Sequence, residues 1–96
     1  RLFLVMNETI SKLVHIRNSL GLHARPAALL AQEAAKFDSR VKLIADEMEA
    51  DAKSVLDILS LAAVKGKTVV LQAEGSDARE AVLHLEHFFK EGFGEN

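Results

Sequence analysis

Apolar and polar positions along the chain change period in a regular order. Ile10, Val14 and Ile16 alternate with Ser11, Leu13, His15 and Arg17, the period of two expected of a half-buried strand. Asn18-Ser19-Leu20-Gly21 reads as a loop. Over 24–36 the chain is rich in alanine and leucine, and Ala27, Leu30, Ala34 and Phe37 recur at helical spacing. Pro26 falls in the first turn of that helix, where its missing N–H costs nothing. Alternation returns over 40–45 with Val41 and Leu43 on one side, and 48–52 predicts a short return strand beyond an acidic turn at Asp46-Glu47.

Ser54 precedes the apolar run Val55-Leu56-Asp57-Ile58-Leu59, with Asp57 three residues on, which resembles a capping box at a helix start. Gly66 closes that region, and 68–74 predicts a strand with Val69, Leu71 and Ala73 facing one way. Ser76 or Asp77 is placed to cap a last helix whose apolar stripe is Ala81, Val82, Leu85, Phe88 and Phe89, with Gly92 as its terminator. The order is βαββαβα. Helices with one apolar stripe and strands with one apolar face are both satisfied by two layers. The expected class is therefore α+β: an open-faced β-sandwich with a four-stranded, mostly antiparallel sheet and three helices on one face. A single domain is expected over 9–92, with an N-terminal extension at 1–8, in which Met6 is the natural first residue, and a C-terminal tail at 93–96.

Composition narrows the function. With 49% hydrophobic residues in 96, the chain has ample material for one core. Twelve basic and 14 acidic residues leave a net charge of −2, no basis for a nucleic-acid partner. Cys is absent, which removes disulfides, thiol nucleophiles and thiolate-bound metals and fits a reducing, cytoplasmic setting. No apolar stretch approaches the length of a membrane span.

The candidate chemistry lies in Gly21-Leu22-His23-Ala24-Arg25-Pro26-Ala27. An imidazole stands where a helix begins, beside backbone N–H groups that have no partner within the helix. The aligned peptide dipoles favour a nearby anion there by about 0.3–1 kcal/mol, and they disfavour a charged imidazolium. Arg25 adds a planar fork of donors matched to phosphate oxygens. Such a histidine can accept a phosphoryl group and hold it in a labile N–P bond. No carboxylate stands in the motif to activate water, so the logic suits a carrier better than a hydrolase. A polar residue capping a helix is the plainer reading of a histidine in this place.

Gly-Leu-His-Ala-Arg-Pro-Ala resembles the active-site signature of the HPr family, the histidine-containing phosphocarriers of the bacterial sugar phosphotransferase system. Lys53-Ser54-Val55-Leu56-Asp57-Ile58-Leu59-Ser60-Leu61 is similar to the family's second signature, and Gly66-Lys67-Thr68-Val69-Val70 to its last strand. The resemblance implies that enzyme I phosphorylates Nδ1 of His23, that Arg25 pairs with the phosphate, and that a sugar-specific enzyme IIA domain receives it. It implies a monomer with a transient phosphohistidine and no cofactor or metal. Val55, Leu56 and Leu59, with Leu22 and Ala24 beside His23, are assigned to partner docking. Ser54 matches the position that an ATP-dependent HPr kinase/phosphorylase modifies in many members. A regulatory or nitrogen-branch relative acting mainly through protein–protein contacts is the alternative.

Two departures from the family pattern bear on these expectations. Asp46-Glu47 replaces the usual Asn-Gly or Asp-Gly, which predicts a longer or irregular turn. Asp57 is acidic where the family is often small or basic, which weakens the case for Ser54 as a switch. His84 and His87 stand three apart without a third ligand and read as a solvated helix face.

Overall fold

The computed structural model describes residues 8–95; positions 1–7, which hold Met6 and all but one residue of the expected extension, and position 96 lie outside the described residues. The elements are β1 (Glu8–His15), α1 (Ala24–Ala34), β2 (Arg40–Ala45), β3 (Met48–Asp51), α2 (Val55–Ser60), β4 (Thr68–Gly75), α3 (Ala78–Lys90) and a 3-10 turn, Gly92–Gly94. The strands form one antiparallel sheet in the order β1-β4-β2-β3. The predicted order and class hold, α1 ending at Ala34, two residues short of its expected end.

Sheet register puts the apolar sets on one face. Val14 of β1, Val41 and Leu43 of β2 and Val69, Leu71 and Ala73 of β4 are all buried, as the period of two requires. α3 crosses this face against β1, β4 and β2, and α1 packs beside it. Leu30 and Ala34 of α1 and Val82, Leu85 and Phe89 of α3 complete the core. Lys12 also points to the helical side, where its ammonium lies 3.5 Å from the carboxylate of buried Glu86.

Three local expectations are corrected. β2 and β3 pair down to Ala45 opposite Met48, so Asp46-Glu47 is a tight two-residue loop and not a longer one; Asp46 accepts a φ of +56° to make it, since Asp tolerates that region better than most residues. Asp77 sits at the N-terminal cap of α3, yet its side chain makes no cap bond. Its carboxylate instead accepts from the amides of Asp38 and Ser39, each at 2.9 Å, and from the Ser39 hydroxyl. These donors hold the Asp77 carboxyl below the usual range, the Ser39 hydroxyl contributing most.

The third correction concerns the segment after α3. Gly92 ends the helix as expected, but the chain turns back there, with φ of +59° at Gly92 and +56° at Phe93. Phe93 is only 3% exposed and meets Phe89 edge-on, the ring centroids 5.0 Å apart. Phe93, a residue of the expected tail, thus packs against the core, while Gly94 is exposed and Glu95 half-buried. An aromatic flanked by two glycines can reverse direction and re-enter the core because its neighbours carry no Cβ. At the other end, Glu8 is already paired with Gly75 in the sheet.

Candidate functional site

The loop that leads into α1 is stitched to the loop that follows α2. Leu22 N–H donates to Ala63 O at 3.0 Å, and Gly66 N–H donates to Ile16 O at 2.8 Å. Gly21 permits this approach: its φ is +66°, and a Cβ there would come within 2.4 Å of Ala63 O. Leu22 is consequently 4% exposed and belongs to the core, which removes it from the docking surface. Its backbone bond then delivers the next residue, His23, to the helix start.

His23 is the N-cap residue of α1, in extended conformation, and its side chain makes no cap bond. The plain capping role is thus unfilled by the ring. Among the described residues the amides of Ala24 and Arg25 donate to no backbone acceptor, Pro26 has no N–H, and Ala27 N–H closes the first turn onto His23 O at 3.0 Å. Two donors with no acceptor among the described residues therefore stand beside the imidazole, whose side chain is 34% exposed. Ala24 and Arg25 are exposed.

A carboxylate that sequence reading did not find completes the site. Glu95 lies 2.9 and 3.0 Å from Nε2 of His23 through its two oxygens, and accepts from Arg25 Nε at 2.8 Å. Buried Asn18 donates from Nδ2 to Glu95 Oε1 at 2.9 Å and to Gly21 O at 2.7 Å; with an acceptor at both ends, only the NH2 side of the amide fits. Arg25 also donates to Phe93 O. His23 and Arg25, separated in sequence by one residue, are brought together through this shared anion. The donors hold the Glu95 carboxyl down at about 2, with the His23 hydrogen bond the largest cause, then Arg25, then Asn18. The signal available beforehand was only the Gly-Phe-Gly-Glu sequence itself; nothing in its spacing places a carboxylate against a ring 72 residues earlier.

Ser54 caps α2 as expected, its Oγ accepting from Asp57 N–H at 3.2 Å. The reciprocal half of the box does not form: the Asp57 carboxylate takes the amide of Asp51 at 3.1 Å instead. Val55, Leu56 and Leu59 are exposed, Leu56 at 79%, and so are Leu20 and Val64, which the apolar pattern did not single out. His84 is engaged with Glu33 Oε1 at 2.5 Å and lies between the rings of Phe37 and Phe88. Among the described residues no group of three or more His, Cys, Asp or Glu is placed to hold a metal ion, and no helix is long and apolar enough to cross a membrane.

The chain is similar to known proteins in both sequence and fold. Residues 10–91 match the family model "PTS HPr component phosphorylation site". The chain is 38% identical over 86 residues to the phosphocarrier protein HPr of Treponema pallidum (strain Nichols), covering 90% of this chain and 98% of that one. It is 39% identical over 89 residues to the phosphocarrier protein NPr of Escherichia coli (strain K12), covering 92% and 99%. Among solved structures it is similar to HPr-C-His from Thermoanaerobacter tengcongensis, with a TM-score of 0.86 at 41% identity over 91% of this chain and 98% of that one.

Proposed function

Since the chain belongs to the HPr family of phosphotransferase-system phosphocarriers, we propose that His23 accepts a phosphoryl group from phospho-enzyme I and passes it to a sugar-specific enzyme IIA domain. The observation that carries this reading is a partly exposed imidazole at a helix start, with unpaired amides and a guanidinium beside it. Attack on phosphorus needs a ring nitrogen lone pair. With Nε2 turned to Glu95, Nδ1 is the nitrogen left for it. Arg25 has donors matched to phosphate oxygens. The acting species is a cytoplasmic monomer that needs no cofactor.

Val55, Leu56 and Leu59 form the exposed apolar face of α2 offered to partners. Ser54 is the regulatory site of the same reading: a phosphate there would add about −1.5 to −2 charges beside Asp57 and close to this face, and so would act on docking. The identity to an NPr supports a second reading, a regulatory or nitrogen-branch carrier with the same His23 chemistry and different partners.

The test is transfer from labelled phosphoenolpyruvate through enzyme I. Acid-labile, base-stable label on the wild type, absent from His23→Ala, is expected; label that persists in His23→Ala overturns the assignment. Offering the labelled protein to sugar-type and nitrogen-type acceptors separates the two readings. A parallel reaction with ATP and HPr kinase/phosphorylase, read as acid-stable label lost in Ser54→Ala, decides the regulatory site.

A further inference from the structure

The Glu95 carboxylate meets the His23 ring at Nε2 and not at Nδ1, yet it is the most heavily bonded side chain of the site. Three donors from the segment that leads into and opens α1 converge on it: His23 Nε2–H, Arg25 Nε–H and Asn18 Nδ2–H. Its backbone is anchored by the buried Phe93 two residues before. A neutral imidazole has one N–H and one lone pair, whereas an ionised carboxylate can only accept. The ring nitrogen facing Glu95 must therefore carry the hydrogen, and the other must carry the lone pair.

We propose that Glu95 is a positioning residue for phosphoryl acceptance: its carboxylate holds the His23 ring with the proton on Nε2, presents the Nδ1 lone pair, and balances the charge the ring acquires. The inference rests on the reading of His23 as the phosphoryl acceptor. In the step itself the Nδ1 lone pair forms the N–P bond while the N–P bond of the phosphohistidine donor on enzyme I breaks and its electrons return to the donor nitrogen. No proton need leave His23. The ring becomes positively charged, with Nε2–H still directed at Glu95, and the opposite charges face each other across 2.9 Å. A ring with its proton on Nδ1 would have to lose it first and would meet no such counter-charge.

The Asn18 contact and the return of Phe93 to the core serve the same end, because an orienting carboxylate works only if it is itself held. Arg25 is tied to the same anion and to Phe93 O, which keeps its guanidinium next to the imidazole before any phosphoryl group arrives.

The experiment combines two measurements on the full chain. The first is the ring-nitrogen correlation spectrum of 15N-labelled protein near pH 8.5, which reports which nitrogen bears the proton. The second is the rate of label uptake from phospho-enzyme I. The wild type is expected to show a single Nε2–H pattern for His23. In Glu95→Ala the proton redistributes between the two nitrogens and uptake slows by about 10- to 100-fold, the range that follows loss of a carboxylate orienting a metal-binding histidine. Glu95→Gln keeps an acceptor oxygen for Nε2–H without the charge; it is expected to keep the tautomer and still lose rate, and it serves if the alanine variant does not fold. An Nε2–H pattern unchanged in Glu95→Ala, or wild-type uptake in both variants, overturns the proposal. A wild type that takes no label at all overturns the carrier reading instead, so the two failures are distinct.

Discussion

At the scale of single residues, the site divides between what is local and what is not. The place of His23, Ala24, Arg25 and Pro26 at a helix start, with the bonds such a start leaves open, can be read from adjacency. Leu22 could not be judged that way. An apolar residue beside a functional one is equally compatible with docking and with burial, and only the bond to Ala63 O shows it turned inward. Leu56 is the converse case, since at 79% exposed it contributes little to the core. Leu56→Glu is accordingly expected to change stability by no more than about 0.5 kcal/mol. The same substitution should weaken enzyme I binding by about tenfold or more, as loss of an apolar anchor does. Calorimetric titration alongside urea unfolding checks both, and unchanged affinity would remove α2 from the docking surface.

Elements were legible where periodicity is strong and uncertain where a side chain had a choice of partner. The alternation over β1, β2 and β4 and the stripes of α1 and α3 predict their own faces, because burial on one side is what produces the pattern. Ser54 caps α2 as expected, but the carboxylates near the helix starts bond elsewhere: Asp77 secures the 38–39 loop, and Asp57 takes the Asp51 amide. A carboxylate near a helix start has several amides within reach, and the folded geometry selects among them. The turn at Gly92–Gly94 is the element the sequence reading lacked. Because Phe93 is buried against Phe89, Phe93→Ala is expected to cost about 3–5 kcal/mol, measurable by denaturant unfolding at neutral pH. A loss below about 1 kcal/mol would return 93–95 to the status of a loose tail. That substitution should also displace Glu95, so uptake of label should fall with it.

At the scale of the whole molecule, the same carboxylate links the site to stability. Glu95 is held from the ordinary value of 4.5 down to about 2 by His23 and Arg25. A carboxyl depressed in the folded state contributes stability that is present above its unfolded pKa and is lost as pH falls through the folded one. The contribution should be full at neutral pH and decline between about pH 4.5 and 2. Unfolding free energies of wild type and Glu95→Gln, compared from pH 7 downward, should differ by a constant amount above about pH 5 and converge near pH 2. A difference that does not narrow over that range would show that the ion pair is not formed in solution. Glu33, lowered chiefly by His84 and then Lys36, and Asp77, lowered chiefly by Ser39, act with the same sign in both proteins and cancel in the comparison.

Periodicity, turn residues and one seven-residue motif were enough to determine the element order, the two-layer class, the buried faces of β1, β2 and β4 and the histidine at the start of α1, since each depends on neighbours within a few positions. The tertiary structure alone decided which apolar residues near that histidine are inside, where the capping carboxylates bond, and that Glu95 lies against His23. Those outcomes depend on which distant segments share a surface. The contact between positions 23 and 95 exists because Phe93 finds space beside Phe89, a packing event that leaves no period in the sequence.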